Sequence, residues 1–164
     1  KEALLIIRPA GRADRDAVWD VLEPVLREGA TYTYPRDISK ADALAAWMGA
    51  DRETLVAEED GKIIGTYYLR ANQPGGGSHV ANCGFVTDRA AGRRGVARRM
   101  CAHSLELARE RGFLAMQYNF VIATNTHAIR LWESFGFETV GRLPDVFNHP
   151  EAGFVDALVM YRRL

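Results

Sequence analysis

The chain has 164 residues, 21 basic and 21 acidic side chains, 48% apolar residues and two cysteines. Such a length suits one domain, residues 1–164, which can bury about 70% of its extended-chain surface and needs neither disulfide nor metal to fold. The ordinary composition excludes disorder, collagen and coiled coil, and a net charge of zero argues against a general affinity for nucleic acid or anionic membrane.

LLIIRPA (4–10) is an apolar run suited to a buried strand. The whole opening stretch KEALLIIRPA has too short an apolar core for a signal peptide, and it begins at Lys1 rather than Met, as a trimmed chain would. Over 14–27, Ala17, Val18, Val21, Leu22, Val25 and Leu26 recur at helical spacing behind Asp14 as N-cap, and Gly29 stops the helix. ATYTYPRDIS (30–39) is polar and aromatic without a period; Ser39 then opens a second helix with Trp47 near its end. TLVAEED (54–60) and KIIGTYYLR (62–70), joined through Gly61, read as a hairpin.

After the loop ANQPGGGS (71–78), HVANCGFV (79–86) is a strand, and DRAAGRRGVARR (88–99) leads into a helix that runs to Arg111 and stops at Gly112. FLAMQYNFV (113–121) is strand-like and NTHAIRLWESF (125–135) helical, while FETVGRL (137–143) and FVDALVMYRR (154–163) are strands separated by an irregular PDVFNHPEAG. The order β-α-α-β-β-β-α-β-α-β-β, with its strands in runs, predicts a mixed sheet flanked by helices, an α/β protein of the α+β kind. No apolar run approaches the ~20 residues of a membrane span, so no membrane association is expected. Cys83 and Cys101 have no CxxC or Cys/His companions, which points away from a disulfide framework or metal site and toward a cytoplasmic protein.

Most informative is the junction between strand 79–86 and its helix, GRRGVA (92–97). A glycine-containing turn at a helix N-terminus aims several unpaired N–H groups at one spot, and the positive end of the helix dipole adds to them, making a seat for a pyrophosphate. Gly95 lets backbone approach closely and Ala97 leaves the turn uncovered. Arg89, Arg93, Arg94, Arg98 and Arg99 supply guanidinium groups for phosphate oxygens. No GK[ST] follows and no GxGxxG is present, so this is neither a Walker A loop nor a dinucleotide fingerprint. Taken alone, it reads more readily as a basic, solvated helix start.

With its neighbours the turn resembles the [QR]-x-x-G-x-[GA] motif of the GNAT superfamily of acetyl-CoA-dependent N-acetyltransferases. Residues 92–97 match except at Gly92, where the family has Gln or Arg, a change that removes a side chain but no backbone N–H. TNTHAIRLWESFGFE (124–138) is similar to the family's N-x-x-A-x-x-[LF]-[YW]-x-x-x-GF, and the element order resembles the family over nearly the whole chain. The resemblance implies a mostly antiparallel sheet of six to seven strands, about four helices, and two splayed central strands, here 79–86 and 113–121. It implies acetyl-CoA as co-substrate and no metal, with pyrophosphate on Arg93, Arg94, Gly95, Val96, Ala97 and Arg98. Pantetheine then lies in the splay beside Phe85, Val86 and Thr87 like an added strand. Asn125 matches the Asn that bonds pantetheine, and is equally a helix N-cap. Trp132 stands where many members carry a Tyr that assists the departing thiolate; an indole N–H donates a hydrogen bond but is no general acid. Trp132 also reads as part of a packed helix face with Ala128, Leu131 and Phe135.

Asn82 and Asn119 stand on the two central strands, where Asn is disfavoured and a buried carboxamide must find partners. Either they act as catalytic residues that orient acceptor and thioester, or they satisfy the ladder where the strands part. AN-x-x-F (81–85), N-x5-N (119–125) and TYxY (31–34) together resemble a GNAT subgroup acting on proline-like imino acids such as azetidine-2-carboxylate. The reaction so implied is attack of a neutral amine on the acetyl thioester in a ternary complex. Proximity supplies much of the acceleration, and an N–H at Phe85–Val86 serves the oxyanion.

Tyr32, Tyr34 and Trp47, with Phe147, Asn148 and His149, are expected around a small-molecule amine, amino or imino acid-like, although Trp47 suits the core better than a lid. Tyr118 should face away from Asn119 and His79 lies at the wrong end of its strand, which leaves water relayed through Asn82 or Asn119 as the base. The rivals are a peptide or protein N-terminal acetyltransferase, a non-catalytic acyl-CoA sensor motivated by Trp132, and a nucleic-acid binder, for which only the arginines speak. Exposed strand edges toward the C-terminus would suit a homodimer.

Overall fold

The computed structural model describes residues 4–91 and 95–164. Its strands are β1 (Leu5–Pro9), β2 (Glu53–Glu59), β3 (Lys62–Ala71), β4 (Val80–Thr87), β5 (Ala115–Ile122), β6 (Glu138–His149) and β7 (Gly153–Arg163). They form one seven-stranded sheet in the order β1-β2-β3-β4-β5-β7-β6. Every neighbouring pair is antiparallel except the central one, β4 with β5. A parallel pair cannot be closed by a hairpin and needs a crossover, which α3 (Val96–Glu110) provides.

The remaining helices are α1 (Arg15–Glu28), α2 (Lys40–Trp47) and α4 (Thr126–Ser134). Two cores sit on opposite faces of the sheet. On one face Val18, Leu22 and Leu26 of α1 and Leu44 and Trp47 of α2 pack on Val56 and Val86. On the other, Met100, Leu105 and Ala108 of α3 and Leu131 and Trp132 of α4 pack on Tyr67, Cys83, Met116, Tyr118 and Met160. Covered on both faces, β3 has almost no exposed residues, which is why KIIGTYYLR reads as a near-continuous apolar run instead of an alternating one.

Two expectations require correction. Asp14 does not cap α1 with its side chain; it ends a short 3-10 turn, and its carboxylate accepts from the Gly11 N–H (2.7 Å) and from both terminal nitrogens of Arg8 (2.9 Å each). The segment from Pro144 is not irregular, because β6 continues through it to His149. Pro144 is tolerated because β6 is an edge strand, where a missing N–H is not owed to a neighbour. A register shift between Leu143 and Phe147 absorbs the extra residues, with Asp145 at φ 51° and its N–H donating to Asp156 Oδ1 at 3.0 Å. Among the described residues, no helix is long and apolar enough to cross a membrane.

Candidate active site

The central parallel pair is registered at two positions only, Val80 with Ala115 and Ala81 with Met116. Beyond them the strands part, and a cleft of about 510 Å³ opens between β4 and β5. The alternation of an antiparallel ladder decides which backbone groups face it. Asn72 donates its N–H to the Val80 carbonyl and Asp88 to that of Ile64, so the even-numbered residues of β4 bond toward β3. The N–H and C=O of Cys83, Phe85 and Thr87 therefore point into the splay. Val86 lines the cleft with its side chain, but its backbone is committed to β3 opposite Thr66, so the free edge expected at Phe85–Val86 belongs to Phe85 and its odd-numbered neighbours.

At Phe85 that edge is occupied from within. The Tyr32 hydroxyl accepts from the Phe85 N–H at 2.8 Å and donates to the Phe85 carbonyl at 2.8 Å. Burial pushes the Tyr32 phenol well above its ordinary value, so the group stays protonated and able to donate. Its ring stacks on Tyr34 and meets the edge of Trp47. Trp47 itself is core: 1% exposed, its indole N–H donates to Thr66 Oγ1 at 3.0 Å.

The expected phosphate seat lies at the top of the splay. Val96 opens α3 and Ala97 lines the cleft. Gly95 precedes them at φ 73°, and a Cβ placed there would meet nothing within 4 Å. The turn thus keeps an open approach in a left-handed conformation that favours glycine. Gly92, Arg93 and Arg94 lie outside the described residues. The other arginines do not converge on the turn as expected. Arg89 pairs with Glu28 and donates to the Pro24 carbonyl, Arg99 donates to the Leu5 carbonyl, and Arg98 sets its guanidinium 5.4 Å over the Phe135 ring. Arg89 and Arg99 have backbone carbonyls to satisfy, and only Arg98 lies toward α4.

Asn125 caps α4, its Oδ1 accepting from the Ala128 N–H at 3.3 Å, and it lines the cleft as well. Trp132 is buried in the wall, its ring 5.1 Å from Phe85 and 5.0 Å from Tyr118. Tyr118 belongs to the core beside α3 and α4, with Cys101 Sγ 4.0 Å from its hydroxyl, and burial raises its pKa strongly.

On the opposite face of the sheet the two strand asparagines meet through a third that the sequence did not single out. Asn72 Oδ1 accepts from Asn119 Nδ2 at 2.6 Å and from Asn82 Nδ2 at 3.4 Å. Asn82 Nδ2 also donates to the Gln117 carbonyl at 3.0 Å, replacing the ladder bond lost where β5 turns away. Asn119 is exposed, not buried, and its Oδ1 accepts from Gln117 Nε2. Arg70, Tyr68 and Tyr34 line the same end. Burial pushes Tyr68 up to about 12 and raises Tyr34, so neither phenol is a base at neutral pH. Phe147 does not line the cleft but packs behind it against Phe120. His149 accepts the N–H groups of Glu151 and Ala152 in the β6–β7 turn, and neither it nor Asn148 is among the residues that line the cleft. No group of three or more His, Cys, Asp or Glu side chains among the described residues could hold a metal.

A sheet whose one parallel pair opens beside the glycine-led start of its crossover helix is the frame of an acyltransferase of the kind the two motifs suggest. The chain belongs to the acetyltransferase (GNAT) family, whose profile matches residues 19–137. It is similar to the N-acetyltransferase aca1 of Schizosaccharomyces pombe, 34% identical over 98 residues that cover 59% of this chain and 47% of that protein. The match thus spans about half the length of that curated relative. Among solved structures it is similar to a GCN5-related N-acetyltransferase from Kribbella flavida, with 38% identity, a TM-score of 0.93 and 98% of each chain covered. A phosphinothricin acetyltransferase from Sinorhizobium meliloti in complex with acetyl-CoA shares the fold at 19% identity and a TM-score of 0.85, covering 98% of this chain and 88% of the other.

Proposed function

We propose that this chain transfers an acetyl group from acetyl-CoA to the amine of a small amino or imino acid-like molecule, with both substrates bound in one cleft. The observation that carries the reading is the splay itself: a sheet edge left open by the parting of β4 and β5, leading to a glycine-started helix. An amide chain such as pantetheine can pair with the Phe85 and Thr87 backbone as an added strand, and a diphosphate suits the α3 N-terminus. The Phe85 N–H, once exposed, points where a thioester oxygen would gain charge, the kind of fixed donor that accelerates acyl transfer.

The acceptor would enter from the α1–α2 face. Asn82 spends its Nδ2 on Gln117 and Asn72, which leaves Oδ1, an acceptor, for the N–H of an attacking amine. Asn72 spends its Oδ1 on Asn82 and Asn119, which leaves its Nδ2 for a carboxylate; Arg70 lines the same cleft, with its guanidinium on the Ala71 carbonyl and 3.8 Å from Asp51. No carboxylate side chain lines the cleft among the described residues, whereas His127 does; the amine's proton is routed through water relayed by Asn82 or Asn119. The test is a free-thiol release screen with acetyl-CoA over amino acids, imino acids, polyamines and N-terminal peptides. Release is expected with α-amino or imino carboxylates and much less with the polyamines; no release with any acceptor refutes the reading. Trp132, an indole where a hydroxyl would assist the thiolate, favours a second reading, a non-catalytic acyl-CoA binder. That reading predicts thermal stabilisation by acetyl-CoA without thiol release.

A further inference from the structure

The Phe85 backbone cannot serve two partners. Its N–H and C=O are the groups of β4 that an acyl-CoA amide or thioester would meet in the splay, yet one hydroxyl, from Tyr32, satisfies both at 2.8 Å. That hydroxyl comes from the other face of the sheet and from the segment that walls the acceptor side, where Tyr32, Thr33 and Tyr34 all line the cleft. Tyr34 stacks on Tyr32, so the two rings are coupled. The far end of the segment is tied down, because Arg36 donates to the Arg27 carbonyl at 2.8 Å. Gly29, at φ 66°, ends α1 just ahead of Tyr32, so residues 30–35 are the stretch that joins the two anchored ends.

We propose that the Tyr32 hydroxyl is a latch that occupies the acyl donor's seat at Phe85, so that acetyl-CoA enters by displacing it and thereby moves the segment that builds the acceptor side. The proposal rests on the acetyl-CoA reading above. Its consequence is a coupling between the two substrates: an empty donor site holds the acceptor wall in one position, and a filled one releases it. Apparent affinity is the intrinsic affinity multiplied by the fraction of molecules in which the latch is open, and removing the latch removes that penalty.

The test compares wild type and Tyr32→Phe by calorimetry with two probes. Acetyl-CoA reaches Phe85, whereas adenosine 3′,5′-bisphosphate carries only the nucleotide end and cannot. Tyr32→Phe should bind acetyl-CoA at least about 5-fold more tightly, since two hydrogen bonds no longer have to be broken on entry, and bind the bisphosphate within about 2-fold of wild type. An unchanged acetyl-CoA affinity, or equal changes for both probes, overturns the latch while leaving the acetyl-CoA reading intact. Failure of wild type to bind either probe overturns both. A crystal structure of wild type with acetyl-CoA decides the matter without any variant: Tyr32 Oη should lie beyond hydrogen-bond reach of the Phe85 nitrogen, and a hydroxyl still in place refutes the displacement.

Discussion

Gly84 lies opposite Tyr68 in the β3–β4 ladder, and the Tyr68 ring lies across it. A Cβ added at Gly84 would sit 2.6 Å from Tyr68 Cε1, 2.8 Å from Cζ and 3.0 Å from the hydroxyl oxygen. The ring has little room to yield, with the Arg52 guanidinium 4.4 Å over its face and Trp47 edge-on at 4.9 Å. Gly84→Ala is therefore an overpacking change, expected to cost about 1–3 kcal/mol. For a chain of this length, each kcal/mol lowers Tm by roughly 2–4 °C, so a fall of about 2–12 °C is expected in scanning calorimetry. Tyr68 lines the cleft at the end proposed for the acceptor, so the acceptor KM should rise while acetyl-CoA affinity is retained. A Tm within about 1 °C of wild type together with an unchanged acceptor KM would refute the close-packing argument.

Three other substitutions probe separate parts of the molecule. Thr66→Val removes the buried hydroxyl that accepts from the Trp47 indole at 3.0 Å and donates to the Leu55 carbonyl at 2.8 Å, and should cost about 1–3 kcal/mol in denaturant unfolding; a loss below about 0.5 kcal/mol would contradict it. Gly95→Asp finds open space for its side chain, although the backbone at φ 73° disfavours any residue but glycine, and sets a carboxylate on the expected phosphate seat. Calorimetry should show acetyl-CoA binding weakened at least ~10-fold, and by more than in Gly95→Asn, which shares the backbone strain without the charge. Asp14 is held below its usual range chiefly by the Arg8 hydrogen bonds, against the opposing effect of burial. The stability it contributes is present above the unfolded carboxylate value of about 3.9 and is lost as pH falls through the depressed folded value. Asp14→Asn should thus lower Tm at neutral pH, with the two curves converging below about pH 4; a constant gap across that range would exclude the ion pair as the cause.

Helices α1, α3 and α4 were legible because each carries one apolar stripe, and α2 because Ser39 caps its start. The segment from Pro144 to His149 was not, since an exposed edge strand with a register shift shows neither period nor β-formers throughout. The open centre of the sheet was accessible only through the resemblance. The choice between Phe85 and Val86 depends on ladder parity, which no composition records. Asn72 escaped notice because it follows β3 on the way into a glycine-rich loop and gains significance only when Asn82 and Asn119 arrive from distant segments. Phe147, which packs on Phe120 and does not line the cleft, shows the converse: an aromatic residue packed behind a wall and one forming it look alike in sequence.

The two-pair contact between β4 and β5 also has a mechanical side. It divides the sheet into a four-strand leaf and a three-strand leaf stitched at one end of a seam. A long ligand lying in that seam would work as thread, so its presence should show first as slowed amide exchange along both flanking strands, with little change at the outer edges of either leaf.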